Sequence, residues 1–188
     1  MYTSVNTIVK LKVTGFKAFN QTEKKPSGVK LQSRYLREEG GLGQFEIKVF
    51  ELSDRAAKSL KGKVIQLEEC NVFRPDQEYA PSYWNSTGKP TELKETIDKP
   101  LINTIVSGTV EAIEPFQGEK TSGYGLYFIV NIDDAETIYA IKVIGLDEAT
   151  AKTFLQKDVK IEQCKPMSKT SYISEEKPQL IQKQTPKD

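Results

Sequence analysis

The segment IKVFELSDRAAKSL, residues 47–60, recurs as IKVIGLDEATAKTF, residues 141–154. The shift between the two segments is 94 residues (141 − 47 = 94). The two cysteines, Cys70 and Cys164, keep the same shift (164 − 70 = 94). A spacing that holds on both sides of a helix-like stretch indicates two copies of one small unit.

Each copy predicts the same order of elements. Residues that alternate between apolar and polar indicate strands, and Ser53 is typical of a helix N-cap. In the first copy the pattern predicts strands at 9–13, 29–36 and 45–49, a helix at 54–60, and strands at 64–72 and 91–96. In the second copy it predicts strands at 102–113, 125–132 and 138–144, a helix at 147–155, and strands at 159–164 and 179–182. Val64 and Val159 differ by 95, so the match loosens by one residue in the fourth strand.

Three strands, a short helix and two further strands is the order of the OB-fold, although other five-stranded barrels share it. We therefore predict an all-β protein with short helices, built as two tandem OB-fold-like five-stranded barrels. The predicted domains are residues 1–98 and 99–188, with a C-terminal tail from about residue 183.

Composition is that of an ordinary globular chain, with 188 residues, 37% hydrophobic and 28% charged. No apolar run approaches the roughly 18 residues of a membrane span, and the N-terminus does not read as a signal peptide. We expect a cytoplasmic protein without a membrane partner, in a bacterial host if the gene belongs to a phage or plasmid. The two cysteines hold the same position in separate units, which favours buried thiols over a disulfide.

The charge is divided unevenly between the two halves. Residues 1–94 carry 16 Lys and Arg against 11 Asp and Glu (16 − 11 = +5), and residues 95–188 carry 11 against 15 (11 − 15 = −4). The basic first copy is the better candidate for an anionic partner.

Catalysis has little support in the sequence. The chain has no histidine, which removes the commonest general base and metal ligand. Two distant cysteines do not make a zinc site, and the glycine run at 40–43 lacks the lysine of a phosphate loop. We predict a protein that is not an enzyme and carries no metal and no cofactor.

Cations and aromatic rings on the first copy's strands are candidates for holding phosphates and bases. If the apolar residues of each strand face the core, the alternating basic ones face out. The strand candidates are Lys10, Lys12, Lys30, Arg34, Tyr35, Lys48 and Phe50. Two further candidates are Lys17, at the entry to the first loop, and Arg37, just beyond the second strand. The alternative is a solvated face of scattered lysines.

The stretch from Phe73 to Gly88 places large aromatic side chains in an otherwise polar segment, which the sequence predicts to be a loop. Such rings either stack on a ligand or plug a domain interface, and the sequence leaves both readings open. The candidates here are Phe73, Arg74, Tyr79, Tyr83 and Trp84.

The combination of a small barrel, basic strands and an aromatic segment between the fourth and fifth strands resembles the OB-fold single-stranded DNA-binding, helix-destabilising proteins of phages and mobile elements. The resemblance is one of pattern, without a diagnostic motif. It implies that the chain coats single-stranded DNA in replication or recombination without reading sequence. Lysines and arginines would contact phosphates, and the aromatic rings would stack on bases. It also implies a homodimer, and replication proteins are further expected partners of the acidic copy.

Two alternatives stay open at this stage. The first is a two-barrel interaction or assembly module that binds no nucleic acid. The second is an RNA-binding protein.

Overall fold

The computed structural model describes residues 3–19, 28–73, 83–86, 88–132, 135–168 and 170–182. Contacts divide this part of the chain into two compact units. One comprises Asn6–Ile102, and the other runs from Asn103 onward and includes residues 3–5. The domain bounds 1–98 and 99–188 stay a prediction, as does the tail from about residue 183, which lies outside the described residues.

The described residues of the first unit form eight strands and one helix. The strands are β1 (Ser4–Lys12), β2 (Gly15–Phe19), β3 (Gly28–Leu36), β4 (Leu42–Phe50), β5 (Val64–Leu67), β6 (Asn71–Phe73), β7 (Tyr83–Ser86) and β8 (Thr91–Leu93). Helix α1 (Asp54–Leu60) lies between β4 and β5, and the Ser53 hydroxyl accepts a hydrogen bond from the Ala56 amide, as expected of an N-cap.

The second unit has the same order of elements. Its strands are β9 (Leu101–Thr109), β10 (Ala112–Gln117), β11 (Ser122–Ile132), β12 (Ala135–Ile144), β13 (Asp158–Ile161), β14 (Lys165–Pro166), β15 (Ser171–Ser174) and β16 (Gln179–Leu180). Helix α2 (Glu148–Lys152) follows β12, and the Asp147 carboxylate caps it by accepting from the Thr150 amide. The helix is shorter than the predicted span of 147–155.

Each unit builds one five-stranded sheet. In the first unit the strand order is β2-β3-β4-β7-β6, and in the second it is β10-β11-β12-β15-β14. The fourth strand in each order runs parallel to the third, whereas the other described pairs are antiparallel. The class is therefore all-β with two short helices, as predicted. The ladders form separate sheets and do not close into barrels.

Equivalent hydrogen bonds within each unit show which residues of the two copies correspond. The Cys70 amide donates to the Thr7 carbonyl, and the Cys164 amide donates to the Thr104 carbonyl, each at 2.9 Å. The carbonyls of Lys63 and Lys157 likewise accept from the amides of Val13 and Val110, which directly follow β1 and β9. The shift of 94 therefore holds throughout the fourth strand.

The predicted loosening at Val64 is wrong. With a constant shift, the counterpart of Val159 is Ile65 (159 − 94 = 65), and both side chains are fully buried. Val64 instead corresponds to Asp158, the first residue of β13. The two valines resemble each other in sequence without sharing a position.

Several short strands were missed by the sequence patterns, among them β2, which carries Lys17. Tyr83–Ser86 is predicted as part of a loop but forms β7, and Ser171–Ser174 forms β15, each paired with the strand that precedes the helix. A strand of four residues has too few positions to establish an alternation, so only its partner reveals it.

Two separate apolar cores lie beneath these sheets. Leu31, Ile47 and Leu67 are among the fully buried residues of the first, and Leu126, Ile141 and Ile161 among those of the second.

None of the helices in the described part of the chain has the length and apolar character needed to span a bilayer.

Candidate functional site

Three lysines stand side by side on three neighbouring strands of the first unit. Lys17 on β2 is the register partner of Lys30 on β3, and Lys30 is the partner of Lys48 on β4. Register partners project from the same face of a sheet, with Cβ atoms about 5 Å apart. We call these three residues the cationic row.

The cationic row points away from the core. Val29 and Leu31 flank Lys30 in β3 and are at most 1% exposed. Ile47 and Val49 flank Lys48 in β4 and are equally buried. Because successive side chains of a strand alternate between faces, the lysines project from the outer face of the sheet.

The backbone continues the row beyond β4. Asn85 on β7 is the register partner of Lys48, and Asn71 on β6 is the partner of Asn85. The register level of the cationic row therefore continues across all five strands of the sheet. Among the described residues, no carboxylate lies within ion-pair distance of Lys17 or Lys30.

An aromatic pair borders the cationic row on one side. Phe19 and Phe50 meet edge to face, with ring centroids 5.8 Å apart and an interplanar angle of 83°. Gly28 lies between them in register, and a Cβ atom at Gly28 would lie 2.2 Å from the Val49 carbonyl oxygen and 3.0 Å from the Phe19 ring. The glycine thus leaves the space that the Phe19 ring occupies. The Nζ atom of Lys48 lies 5.6 Å from the centroid of that ring.

A polar cluster borders the cationic row on the other side. The side-chain amides of Gln32 and Gln44 both donate to Oε1 of Glu46, at 2.7 and 2.8 Å. Gln32 is also the register partner of both Gly15 and Glu46. One carboxylate oxygen thus receives two donors on the outer face.

Arg34 and Tyr35 lie on opposite faces of β3. Arg34 is exposed and is the register partner of Gln44, on the outer face beyond the polar cluster. The Tyr35 ring packs on Gly43, where an added Cβ would lie 2.5 Å from the ring. Tyr35 is an odd number of residues from Lys30 and Arg34, so alternation sends its side chain to the other face. It does not join the cationic row.

Arg37 lies in the turn that follows β3, where its amide donates to the Gly41 carbonyl. The next residue, Glu38, forms an ion pair with Lys99, and this partner lowers the pKa of the Glu38 carboxyl. Arg37 is exposed at this hairpin turn, outside the cationic row.

Lys10 and Lys12 belong to a different ladder. β1 pairs with β5, which places Lys10 opposite Gln66 and Lys12 opposite Val64. Lys10 also forms an ion pair with Glu95 at 2.9 Å, so a carboxylate already neutralises it. The prediction that these two lysines share one surface with Lys30 and Lys48 finds no support in this pairing.

The aromatic segment is only partly described. The backbone of Phe73 is in register with Tyr83, and that of Trp84 with both Val72 and Ile47. Tyr172 holds the position of Trp84 in the second unit, opposite Ile141, and its ring is 9% exposed. Arg74 and Tyr79 lie outside the described residues.

The second unit carries a different row at the corresponding level. Its register runs Glu114, Gly125, Lys142, Ile173 and Lys165. The Tyr127 hydroxyl donates to Glu114 at 3.1 Å, and burial, together with this bond, raises the pKa of Tyr127. An acid thus stands where the first unit has Lys17, so only the first unit presents three adjacent cations.

Another difference appears two levels further along the outer face. Ile129 and Ile138 are register partners in the second unit, 42% and 58% exposed. They correspond to Arg34 and Gln44 of the first unit. The outer face is therefore apolar at this point in the second unit and polar in the first.

Phe19 and the polar cluster are not among the site candidates that the sequence predicts. Phe19 follows a bend, where phenylalanine is often a core residue, whereas the core contact is made by Phe16. The available signal was that Phe116 follows Phe19 by 97 residues (116 − 19 = 97), the shift that also relates Thr7 to Thr104 (104 − 7 = 97). Lys142 lies 5.5 Å from the Phe116 ring, matching the Lys48–Phe19 pair.

The described ranges contain neither a group of metal ligands nor a reactive thiol. No three Cys, Asp or Glu residues there are grouped closely enough to share a metal ion. Both cysteines are buried with free thiols, as the sequence predicts. Burial raises the pKa of the Cys164 thiol to about 12, which keeps it protonated and unreactive at neutral pH.

No known protein family profile matches the chain, and no curated protein matches it either. Among solved structures, the chain is similar to the wild-type single-stranded DNA-binding protein of Thermus aquaticus, with 10% identity and a TM-score of 0.49. That match covers 100% of this chain and 98% of the other. A deletion mutant of the same protein gives 11% identity, a TM-score of 0.48 and 98% coverage of both chains. At this level the likeness does not bear on which residues bind a ligand.

Proposed function

We propose that this protein binds single-stranded DNA through the outer face of the first unit's sheet, with little dependence on the order of bases. The observation that carries the proposal is the cationic row of Lys17, Lys30 and Lys48. Electrostatic attraction to phosphates supplies the sequence-independent part of the affinity.

The cationic row is electrostatically unfavourable for the sheet itself. Like charges directly opposite each other in a ladder destabilise a sheet. Core packing does not require lysine at these positions, because all three project from the outer face. A polyanion that crosses the strands along the row would meet all three charges and relieve their repulsion.

The rings beside the row favour an unpaired strand over a duplex. Phe19 and Phe50 are half-buried, so part of each ring is accessible. Aromatic rings stack on bases only where the bases are unpaired, and each stacked base adds about 1–3 kcal/mol. Cations for the phosphates and rings for the bases thus lie side by side, as a groove for single strands requires.

The biological setting follows the resemblance in sequence pattern. We propose that the protein coats or protects single strands in the replication or recombination of a phage or mobile element, within the cytoplasm of a bacterial host. Binding and not catalysis is the proposed activity. The contacts proposed here use phosphates and base faces, which RNA also presents, so competition by RNA belongs in the test.

A second candidate function, protein interaction, is favoured for the second unit. The exposed pair Ile129 and Ile138 lies where the first unit has Arg34 and Gln44. This unit is acidic and lacks the cationic row. Its proposed partners are a second copy of this chain or a replication protein, while DNA occupies the first unit.

The deciding experiment is fluorescence anisotropy of a labelled oligothymidylate titrated with the protein at several salt concentrations. We expect tight binding at low salt and a log-linear loss of affinity as salt rises. An unlabelled RNA of equal length, added as a competitor, measures whether the site distinguishes RNA from DNA. Binding that is absent at low salt, or that does not change with salt, would overturn the proposal.

A further inference from the structure

We propose that Glu46 gives the site a bias toward cytosine and adenine, whose exocyclic amino groups are N4 and N6, over thymine, which has the O4 oxygen at that place. This inference rests on the proposed function and names the nucleotides that the site prefers. It concerns base composition, not the reading of an ordered sequence.

Glu46 is placed to meet bases. Its side chain lies on the outer face of β4, on the same face as Lys48 two residues further along, and it is half-buried. The cationic row runs beside it on one side, and Arg34 and Gln44 lie at the next level on the other. A strand whose phosphates follow the row would bring a base edge over Glu46.

The two glutamines fix the carboxylate. The amides of Gln32 and Gln44 converge on Oε1, at 2.7 and 2.8 Å. Within the described residues, Oε2 has no hydrogen-bond partner. Two donors from two strands hold the group in one orientation, so the second oxygen is a preorganised acceptor.

An ionised carboxylate can only accept hydrogen bonds. Cytosine offers an amino group at N4 and adenine one at N6, and Glu is a recognised acceptor for cytosine N4. Thymine presents the O4 oxygen at the corresponding place, and two acceptors facing each other repel. One such contact accounts for a preference of about tenfold, equal to roughly 1.4 kcal/mol.

The sharpest probe pair is an oligomer of 5-methylcytidylate against oligothymidylate of the same length, about 16 nucleotides. Both bases carry a methyl group at position 5. At position 4, 5-methylcytosine has an amino group, whereas thymine has an oxo group and, with it, a proton on N3. We expect the wild-type protein to bind the 5-methylcytidylate oligomer about tenfold more tightly at neutral pH.

The variant Glu46→Gln should abolish that preference, because a glutamine amide can either donate or accept. Its affinity for oligothymidylate should rise, since a negative charge beside the lysines is lost. The matched control is Glu92→Gln, which makes the same charge change on β8, where Glu92 pairs with Lys63. The control should keep the preference.

The possible results separate the inference from the proposed function. Equal, salt-dependent binding of both oligomers overturns the inference and leaves single-strand binding standing. A preference that survives in Glu46→Gln overturns the assignment to this residue. Failure to bind either oligomer at low salt overturns the proposed function itself.

Discussion

The Nζ atom of Lys48 lies 5.6 Å from the centroid of the Phe19 ring, and the second unit repeats the pair, with Lys142 5.5 Å from Phe116. A cation over a ring contributes about 0.5–1 kcal/mol at an exposed site. Since both units keep this pair, it is part of their common architecture. What distinguishes the first unit is the addition of Lys17 and Lys30 beside it.

Replacing Lys17 and Lys30 together by glutamine should weaken DNA binding and strengthen the fold. Loss of like-charge repulsion should raise the free energy of unfolding by roughly 0.2–1 kcal/mol. Loss of two phosphate contacts should reduce the salt slope of binding by about 0.7 for each contact. Urea denaturation and anisotropy at several salt concentrations measure the two effects. Lys61→Gln, an exposed lysine just after α1, is the control that should change neither.

Phe19→Leu should weaken binding without changing its salt dependence. The substitution keeps an apolar side chain over Gly28 but removes the ring, which costs about 1–3 kcal/mol for each base that stacks there. Anisotropy titration gives the affinity and the slope. Phe116→Leu makes the same change in the second unit and should bind DNA as the wild type does. An equal loss in both variants would show that the ring of the first unit has no special role.

Gly28→Ala should destabilise the protein by about 1–3 kcal/mol, the usual cost of forcing extra atoms into a packed site. The added Cβ would lie 2.2 Å from the Val49 carbonyl oxygen, so the β3–β4 ladder must move. Chemical denaturation measures the loss. Gly15→Ala is the control, because the nearest atom to its Cβ is the Gln32 side-chain oxygen at 3.1 Å, which can rotate away. Similar stability of the two variants would contradict the prediction.

Stability should fall at alkaline pH because of Cys164. Burial raises the pKa of its thiol from 9.0 to about 12. The contribution of this thiol to the free energy of unfolding is fully present below the pKa of the unfolded state, near 9. It is lost as pH rises through the pKa of the folded state, near 12, because the thiol of the unfolded chain ionises first. Urea denaturation at pH 8 and pH 10.5 measures this loss, which Cys164→Ala should reduce. Burial also raises the pKa of Tyr172, so part of the loss should remain.

Ile138→Thr tests protein interaction through the second unit. The change keeps a β-branched residue on β12 and removes an exposed apolar surface, so self-association measured by sedimentation velocity should weaken. Affinity for DNA per protomer should stay the same. Leu180→Thr, equally apolar and 53% exposed on β16, is the control. A wild-type protein that stays monomeric at every concentration would exclude a second copy as the partner.

Local patterns predicted much of the first unit. Alternation around Lys30 and Lys48 placed both lysines outward, because the side-chain period of a strand is two whatever its partners are. The Ser53 cap and the helix that follows were predicted because capping depends on residues only three positions apart. The same alternation places Tyr35 on the face opposite Lys30 and Arg34, but it does not show that the Tyr35 ring packs on Gly43.

The missed features all depend on pairing between distant residues. Nothing local shows that Lys17 stands opposite Lys30, or that Lys10 belongs to another ladder and meets Glu95. Tyr83–Ser86 reads as a loop because its four residues form a strand only by pairing with β4 and β6.

The amino-acid sequence by itself determined the all-β class, the position of the short helix in both copies and the unequal division of charge, since these depend on composition and on spacing along the chain. Only the tertiary structure decided which lysines form one row and which carboxylate lies beside them. Strand register aligns residues that are 13 to 18 positions apart (30 − 17 = 13, 48 − 30 = 18). A shift of one residue in either ladder would move a lysine to a different level of the sheet and break the row.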